Sequence, residues 1–375
     1  MATVLLAGAF GQCNPGDEAL LGAFVDELAE HRVIATSADP GSTRSQHGCD
    51  AVSSADVAAV ATAMRRADAL VIGGGTVFKT LHPSTGRSAH GLLRNADLLT
   101  LGARATAKPV LMVGVGAAPL VDARARRLAR RLVRRADLLV LRDPVSARLL
   151  ADAGAPAPFR VGADPTWGSL GNMPFVAPAP EDVVVVTVSR FAGSPDLAAR
   201  LGPALRAAVD AGLRVCVQPW QVGEGGADDL ALTHALATEV QGPVELVDPP
   251  ADLQEAKRRA ASARLVIGMR FHSLVASAAA GTRFLAIDHE PKLGALATQF
   301  GQRAVDPRAP AAEFSVAVTD ALAGPPPATE VAREQVALAA EGFRLLHLIL
   351  ARGESPDTGE LIGLPFEPPF SERSA

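Results

Sequence analysis

Short apolar runs alternate along the chain with longer segments of helical period. Thr3 to Ala7, Arg32 to Thr36, Ala69 to Ile72, Pro109 to Val113, Leu138 to Leu141 and Phe159 to Val161 predict buried strands. Each is followed by a glycine-rich or polar turn, and most turns lead into helical stretches such as Asp122 to Arg135 and Pro144 to Ala153. Strand then helix, repeated, predicts parallel strands joined by right-handed crossovers.

The alternation pauses at Gly168 to Asp182, where Pro174, Pro178 and Pro180 interrupt both helix and central strand. It restarts at Val183 to Val188, a run apolar on both faces, as a central parallel strand is. Leu213 to Val217, Val244 to Val247, Leu265 to Gly268 and Phe284 to Ile287 continue it. Gly324 and three prolines end this second unit, and Val331 to Ala351 is a final amphipathic helix. The expected division is a first unit over 1–167, a linker over 168–182, a second unit over 183–324, and a C-terminal helix and tail over 325–375. The fold class is α/β, with two Rossmann-like doubly wound domains. Ligands bind such sheets at the carboxyl ends of the strands, so those ends would face one another across a cleft.

Composition supports this and excludes other classes. Of 375 residues, 48% are hydrophobic and 20% charged, which supplies two buried cores. With 36 Lys+Arg against 40 Asp+Glu the net charge is -4, so no overall basic footprint for nucleic acid exists. Cys13, Cys49 and Cys216 form no C-x-x-C pair, which argues against a disulfide framework or a structural zinc site. No ligand cluster for a metal stands out. No apolar run approaches the roughly 18 residues of a membrane span. Met1 to Phe10 lacks a basic start and a cleavage site, and so reads as a strand rather than a signal peptide. A soluble cytoplasmic protein is expected.

The turns after strands hold the unusual residues. Gly8 to Glu18 precedes an expected helix from Ala19 to Glu30, with Asp17 and Glu18 at its start. Acids there cap and complement the helix dipole, or line the cleft mouth to bind sugar hydroxyls or act as a base. Gly73-Gly74-Gly75 permits close approach of a backbone or an anion. Gly73, Lys79 and Thr80 have Walker spacing, but Phe78 occupies the position of an essential glycine. Gly114-Val115-Gly116 starts like a dinucleotide fingerprint that Pro119 interrupts. Asp143-Pro144 is a helix start, and Asp164 either faces the cleft or makes an Asx turn.

Two arginines are more informative. Arg190 directly follows a strand apolar on both faces, so it emerges at the carboxyl edge. Arg270 and His272 open a nearly all-apolar helix, with no charge nearby in sequence to pair with. A helix N-terminus disfavours cations unless an anion is bound there. His289 and Lys292 come to the same edge after the next strand. Arg190, Arg270 and Lys292 suit a small ligand carrying both carboxylate and phosphate, and His272 is the natural proton donor beside them.

At these residues the chain resembles the polysaccharide pyruvyltransferase family. The matching pieces are Asn14-Pro15-Gly16-Asp17-Glu18, Gly73-Gly74-Gly75, Gly114-Val115-Gly116, Leu141-Arg142-Asp143 with Ser146, and Ala163-Asp164-Pro165. Val188-Ser189-Arg190, Arg270-Phe271-His272, Gly281 and Glu290-Pro291-Lys292 follow in family order. Cys13, Lys79-Thr80 and His289 depart from the family pattern. The resemblance implies a GT-B-like fold and transfer of pyruvate from phosphoenolpyruvate to sugar hydroxyls as a ketal, with release of phosphate. On that basis His272 and Asp17 are the expected catalytic residues. Arg190, Arg270, Phe271 and Lys292 are expected to bind the donor, and Asn14, Glu18, Gly74 and Gly75 the acceptor. Phosphoenolpyruvate would be a co-substrate, with no cofactor and no metal. The other expected partner is a saccharide or lipid-linked saccharide, which leaves peripheral membrane contact open. Two further readings remain at this point: a glycosyltransferase using a nucleotide sugar, and a non-catalytic anion-binding α/β protein.

Overall fold

Parallel strands dominate the computed structural model of the chain, which describes residues 1–83, 86–171, 181–189, 196–222, 229–240 and 242–352. The chain opens with β1 (Thr3–Phe10), α1 (Pro15–Glu27), β2 (Arg32–Ser37), α2 (Pro40–His47), β3 (Asp50–Ser53) and α3 (Val57–Arg66). β4 (Ala69–Gly73), β5 (Thr76–Phe78), α4 (Gly91–Ala105), β6 (Val110–Ala117) and α5 (Ala123–Arg135) follow. β7 (Leu138–Leu141), α6 (Pro144–Asp152), β8 (Arg160–Val161) and α7 (Thr166–Gly171) complete the first unit. The second contains β9 (Val183–Thr187), α8 (Leu197–Asp210), β10 (Arg214–Val217), α9 (Leu230–Val240), β11 (Val244–Leu246) and α10 (Leu253–Ser262). β12 (Leu265–Gly268), α11 (Phe271–Ala280), β13 (Phe284–Ile287), α12 (Pro291–Gln299), β14 (Arg303–Val305) and α13 (Ala311–Ala323) continue it, and α14 (Thr329–Arg352) ends the described chain.

The first sheet has the order β3-β2-β1-β4-β6-β7-β8, with β5 paired to β6, and the second β11-β10-β9-β12-β13-β14. Both are wholly parallel, as strands apolar on both faces require. Val4, Leu5 and Leu6 of β1, and Val184 and Val186 of β9, are fully buried between helix layers. Aspartates start several of the helices. Asp56 accepts from the Ala59 N–H, Asp122 from Arg124 and Ala125, Asp143 from Ser146, and Asp252 from Glu255. Each such cap is worth about 1 kcal/mol.

The structure moves several expected boundaries. α1 begins at Pro15, four residues before Ala19, because Asn14 caps it by accepting from the Gly16 N–H at 3.1 Å and Pro15 suits the first turn. Gly114-Val115-Gly116 is not a turn. It lies inside β6, where a register shift between Val113 and Val115 is absorbed by Gly114 at φ +67°. β3, β5 and β14 carry too little apolar period to be legible, being edge or three-residue strands. The expected boundary after residue 167 falls within α7; residues 172–180 of the expected linker, and the tail from 353, lie outside the described residues.

α14 does not stay with the unit that precedes it. It returns to the first sheet, where Phe343, Leu346 and Ile349 join the core of β1, β4 and β6, and Phe343 meets the Phe24 ring edge-on at 5.1 Å. Burying each such side chain contributes about 1.5–3 kcal/mol. The C-terminal helix thereby fastens the second unit to the first.

Candidate active site

Strand order reverses between β1 and β4 in the first sheet and between β9 and β12 in the second. Loops leaving the carboxyl ends of such neighbours diverge and leave a crevice. Residues 11–14, Gly74-Gly75, and the turn from β12 into α11 all issue from these two points, and the two edges meet. Contacts between α1 and α11 join the units, as do Gln221 Nε2 donating to the Gln12 carbonyl at 3.2 Å and an ion pair between Lys79 and Glu290.

His272 occupies the second position of α11, held by a helix that is almost entirely buried. Thr187 and Ser273 share a hydroxyl hydrogen bond of 2.8 Å that ties this helix start to β9. The His272 side chain lies against Gly16 of the other unit, so close that a Cβ there would fall 2.1 Å from Nδ1. Its Nε2 is 3.6 Å from Asp164 Oδ2. The other carboxylate oxygen of Asp164 accepts from the Thr166 N–H at 3.1 Å and hydroxyl at 2.7 Å. Asp164 therefore makes its Asx turn and faces the cleft at once. Burial opposes its ionisation, but His272, Arg142 and Thr166 outweigh that cost and hold the carboxyl at about 2.

Asp17 shares this space. Asn14 Nδ2 donates to its Oδ2 at 2.7 Å. Burial pushes its pKa above the ordinary value, and the charges of His272, Lys292 and Arg270 oppose that rise without cancelling it. Lys292, at the start of α12, pairs with Glu290 at 2.6 Å. Glu290 lies between Lys292 and Lys79; although burial alone would raise its pKa, the two ammonium groups hold it well below the usual range.

Phe271 carries cations on its face, with the Arg142 guanidinium 4.6 Å and the Lys292 ammonium 5.9 Å from the ring centre. Arg142 is 2% exposed, donates to the Thr76 hydroxyl at 2.9 Å and lies 3.7 Å from Asp164. Gly116 makes room for it, since a Cβ there would meet Nε at 2.6 Å.

Arg270 corrects one expectation. Its neighbours in sequence hold no partner, yet the fold delivers one from 41 residues away. The fully buried Asp229 takes Nε at 3.0 Å and an Nη at 2.5 Å, and Gln221 accepts at 3.3 Å. Asp229 also accepts from the Trp220 and Gln221 N–H groups, so the carboxylate that holds the guanidinium is itself anchored to the backbone. Glu18 is engaged within its own unit, accepting from the Gly11 N–H at 2.8 Å and pairing with His47 at 3.1 Å. Gly74 and Gly75 adopt φ +65° and +71°; a Cβ on Gly74 would strike Leu20, whereas Gly75 has nothing within 4 Å of that position. Arg190 lies outside the described residues.

The structure thus brings Asp17, His272, Arg270, Phe271 and Lys292 to one place. Three companions join them without an expected role. Arg142 and Glu290 lie in motifs of the family resemblance, and Arg142 follows an apolar strand just as Arg190 does, so the same reasoning applies to it; Asp229 gives no local signal. Among the described residues no three His, Cys, Asp or Glu side chains group to hold a metal ion. No helix among them is long and apolar enough to cross a membrane.

Two Rossmann-like units facing a cleft define the GT-B-like class, and solved structures agree. The chain is similar in fold to Anabaena HepE in complex with UDP-glucose, at 14% identity and TM-score 0.57, over 97% of this chain and 100% of that one. It is likewise similar to Staphylococcus aureus MnaA with UDP, at 11% identity and TM-score 0.64 over 94% and 97% of the two chains. The UDP-GlcNAc 2-epimerase of Neisseria meningitidis bound to UDP-GlcNAc gives 12% and 0.57 over 93% and 100%. No curated protein sequence matches. The profile described as Polysaccharide pyruvyl transferase matches residues 14–291. The chain belongs to that family, and is by family a transferase.

Proposed function

We propose that the protein moves pyruvate from phosphoenolpyruvate onto two hydroxyls of a sugar-containing acceptor as a ketal, releasing phosphate. The observation that carries this reading is the buried His272, backed by Asp164, among cations suited to a compact dianion. Arg270 and Lys292 hold the donor's carboxylate and phosphate, with Phe271 against its flat face and Arg190 as a third cation.

His272 gives its proton to the methylene carbon, the double-bond electrons form the new C–H bond, and positive charge develops at the carbon bearing the phosphate ester. Asp164 compensates the charge of the imidazolium before transfer. An acceptor hydroxyl adds to the cationic carbon and loses its proton to Asp17, which burial makes a stronger base than an ordinary carboxylate. The bond from this carbon to the phosphate oxygen then breaks, and phosphate leaves with the electron pair and the proton held by Asp17; the second hydroxyl adds to the resulting cationic carbon, loses its proton to the now neutral His272, and so closes the ketal and restores the acid. Asn14, held on Asp17, together with Gly74 and Gly75, borders the acceptor side. Phosphoenolpyruvate is a co-substrate, and the reading asks no metal or cofactor of the chain.

The test is mass spectrometry of saccharide and lipid-linked saccharide acceptors after incubation with phosphoenolpyruvate. The expected result is the mass of one pyruvic acid less one water on the acceptor, with matching phosphate release. Hexose addition from a nucleotide sugar, without any reaction with phosphoenolpyruvate, would instead establish glycosyl transfer.

A further inference from the structure

The whole-chain charge of -4 conceals a strongly basic face on the first unit. α4 and α5 together carry nine arginines and a single acid, Asp97. α5 buries Ala125, Leu128, Ala129, Leu132 and Val133 and turns Arg124, Arg127, Arg131 and Arg134 outward along one stripe. α4 lies beside it, for Arg131 and Arg135 reach across to Asp97 at 2.6 and 2.8 Å. The outward stripe of α4 is Arg94, Leu98 and Leu101. Leu98 is 63% exposed, Leu101 50%, and Val121, just before α5, 67%. Among the described residues Arg94, Arg124, Arg127 and Arg134 have no acidic partner within ion-pair distance.

We infer that the α4–α5 face docks the protein on an anionic lipid bilayer. Unpaired arginines around exposed leucines match that surface on both counts: the cations meet phosphate headgroups while the leucines enter the acyl boundary. Nucleic acid fits less well, because neither helix carries an aromatic side chain on which bases could stack. The face also begins at the cleft rim. His90 and Asp122 join the two helix starts at 2.8 Å, and the Val121 N–H donates to Thr80, next to the Lys79 that pairs with Glu290 across the units. A membrane-anchored acceptor would be presented to the site from this side; such presentation rests on the proposed transfer, whereas the docking itself does not.

The test is flotation of the full chain with vesicles of phosphatidylcholine alone and with about one third phosphatidylglycerol. It is repeated at rising salt and with Leu98→Glu/Leu101→Glu and Arg124→Glu/Arg127→Glu/Arg134→Glu variants whose folding is checked by circular dichroism. The expected result is binding to the anionic vesicles only, weakened by salt. Each arginine lost should cost about five-fold in affinity, and the leucine variant should fall at least as far as one arginine does. Equal binding to neutral vesicles, no binding to either, wild-type binding by both variants, or retention by nucleic acid in preference to vesicles would overturn the inference. Both variants should turn over a soluble acceptor at the wild-type rate. Because flotation needs no turnover, an inactive preparation that still floats contradicts the proposed reaction and leaves the docking standing.

Discussion

Gly16 and His272, one from each unit, touch so closely that the imidazole of the second lies where a side chain of the first would begin. Gly16 has an ordinary helical backbone, so alanine there is strained by the ring and not by φ. Gly16→Ala should displace His272 and lower kcat by about a hundred-fold, since a misplacement of about 1 Å is that costly. Thermal stability should fall only modestly, because the helix gain from alanine of about 0.5–1 kcal/mol partly offsets an overpacking cost of about 1–3 kcal/mol. Steady-state kinetics beside a melting curve separates the two effects.

His272→Ala should lose about 10²–10⁴ in kcat while donor affinity stays within a few-fold. Asp164→Asn should keep the ring in place but remove its compensating charge, lowering kcat by about ten-fold or more. Its stability effect has a definite sign. The folded pKa of Asp164 is depressed to about 2, so its stabilisation is complete above the unfolded value near 4 and is lost as pH falls toward 2. Chemical denaturation of wild type and Asp164→Asn at pH 7, 4 and 3 should show the difference shrinking with acid.

Asp17 behaves oppositely. Burial raises its folded pKa, so ionising it costs the native state stability as pH rises through that value. Asp17→Asn should therefore be more stable than wild type at pH 7, and the gain should vanish near pH 4. The same substitution should remove the acid limb of the kcat profile, which in the wild type lies above the ordinary carboxylate range.

Arg270→Ala should weaken donor binding and also leave Asp229 buried and unpaired, at a cost of about 3–5 kcal/mol. Arg270→Ala/Asp229→Asn should regain most of that stability without regaining donor affinity. Unfolding curves and donor titration of the two variants distinguish a binding arginine from a purely structural one.

The sheets, their parallel sense and the C-terminal helix were legible because β1, β4, β6, β9 and β12 are apolar on both faces. The edge strands β3 and β14 were not, since half-exposed polar residues carry no such period. Arg270, His272 and Lys292 could be picked out because a cation at the end of an apolar strand or the start of an apolar helix is locally anomalous, whereas Asp17 sits where helix starts favour acids and is marked by the family resemblance. Asp229 is an ordinary acid until the fold sets it against Arg270, and Glu290, marked only by its motif, gains a role when the fold sets it between Lys292 and Lys79. Arg142 stands between an apolar strand and the helix start at Asp143-Pro144, and nothing local to it predicts its place over Phe271. The basic α4–α5 face was invisible to net charge, which averages over the chain.

The central claim is that His272 forms a C–H bond on the donor. Turnover in deuterated water, read by mass spectrometry of the product ketal, tests it most directly. The predicted product carries one solvent deuterium in its methyl group, and His272→Ala forms this product about 10²–10⁴-fold more slowly. A ketal methyl free of solvent deuterium, or full labelled turnover by His272→Ala, would contradict the account.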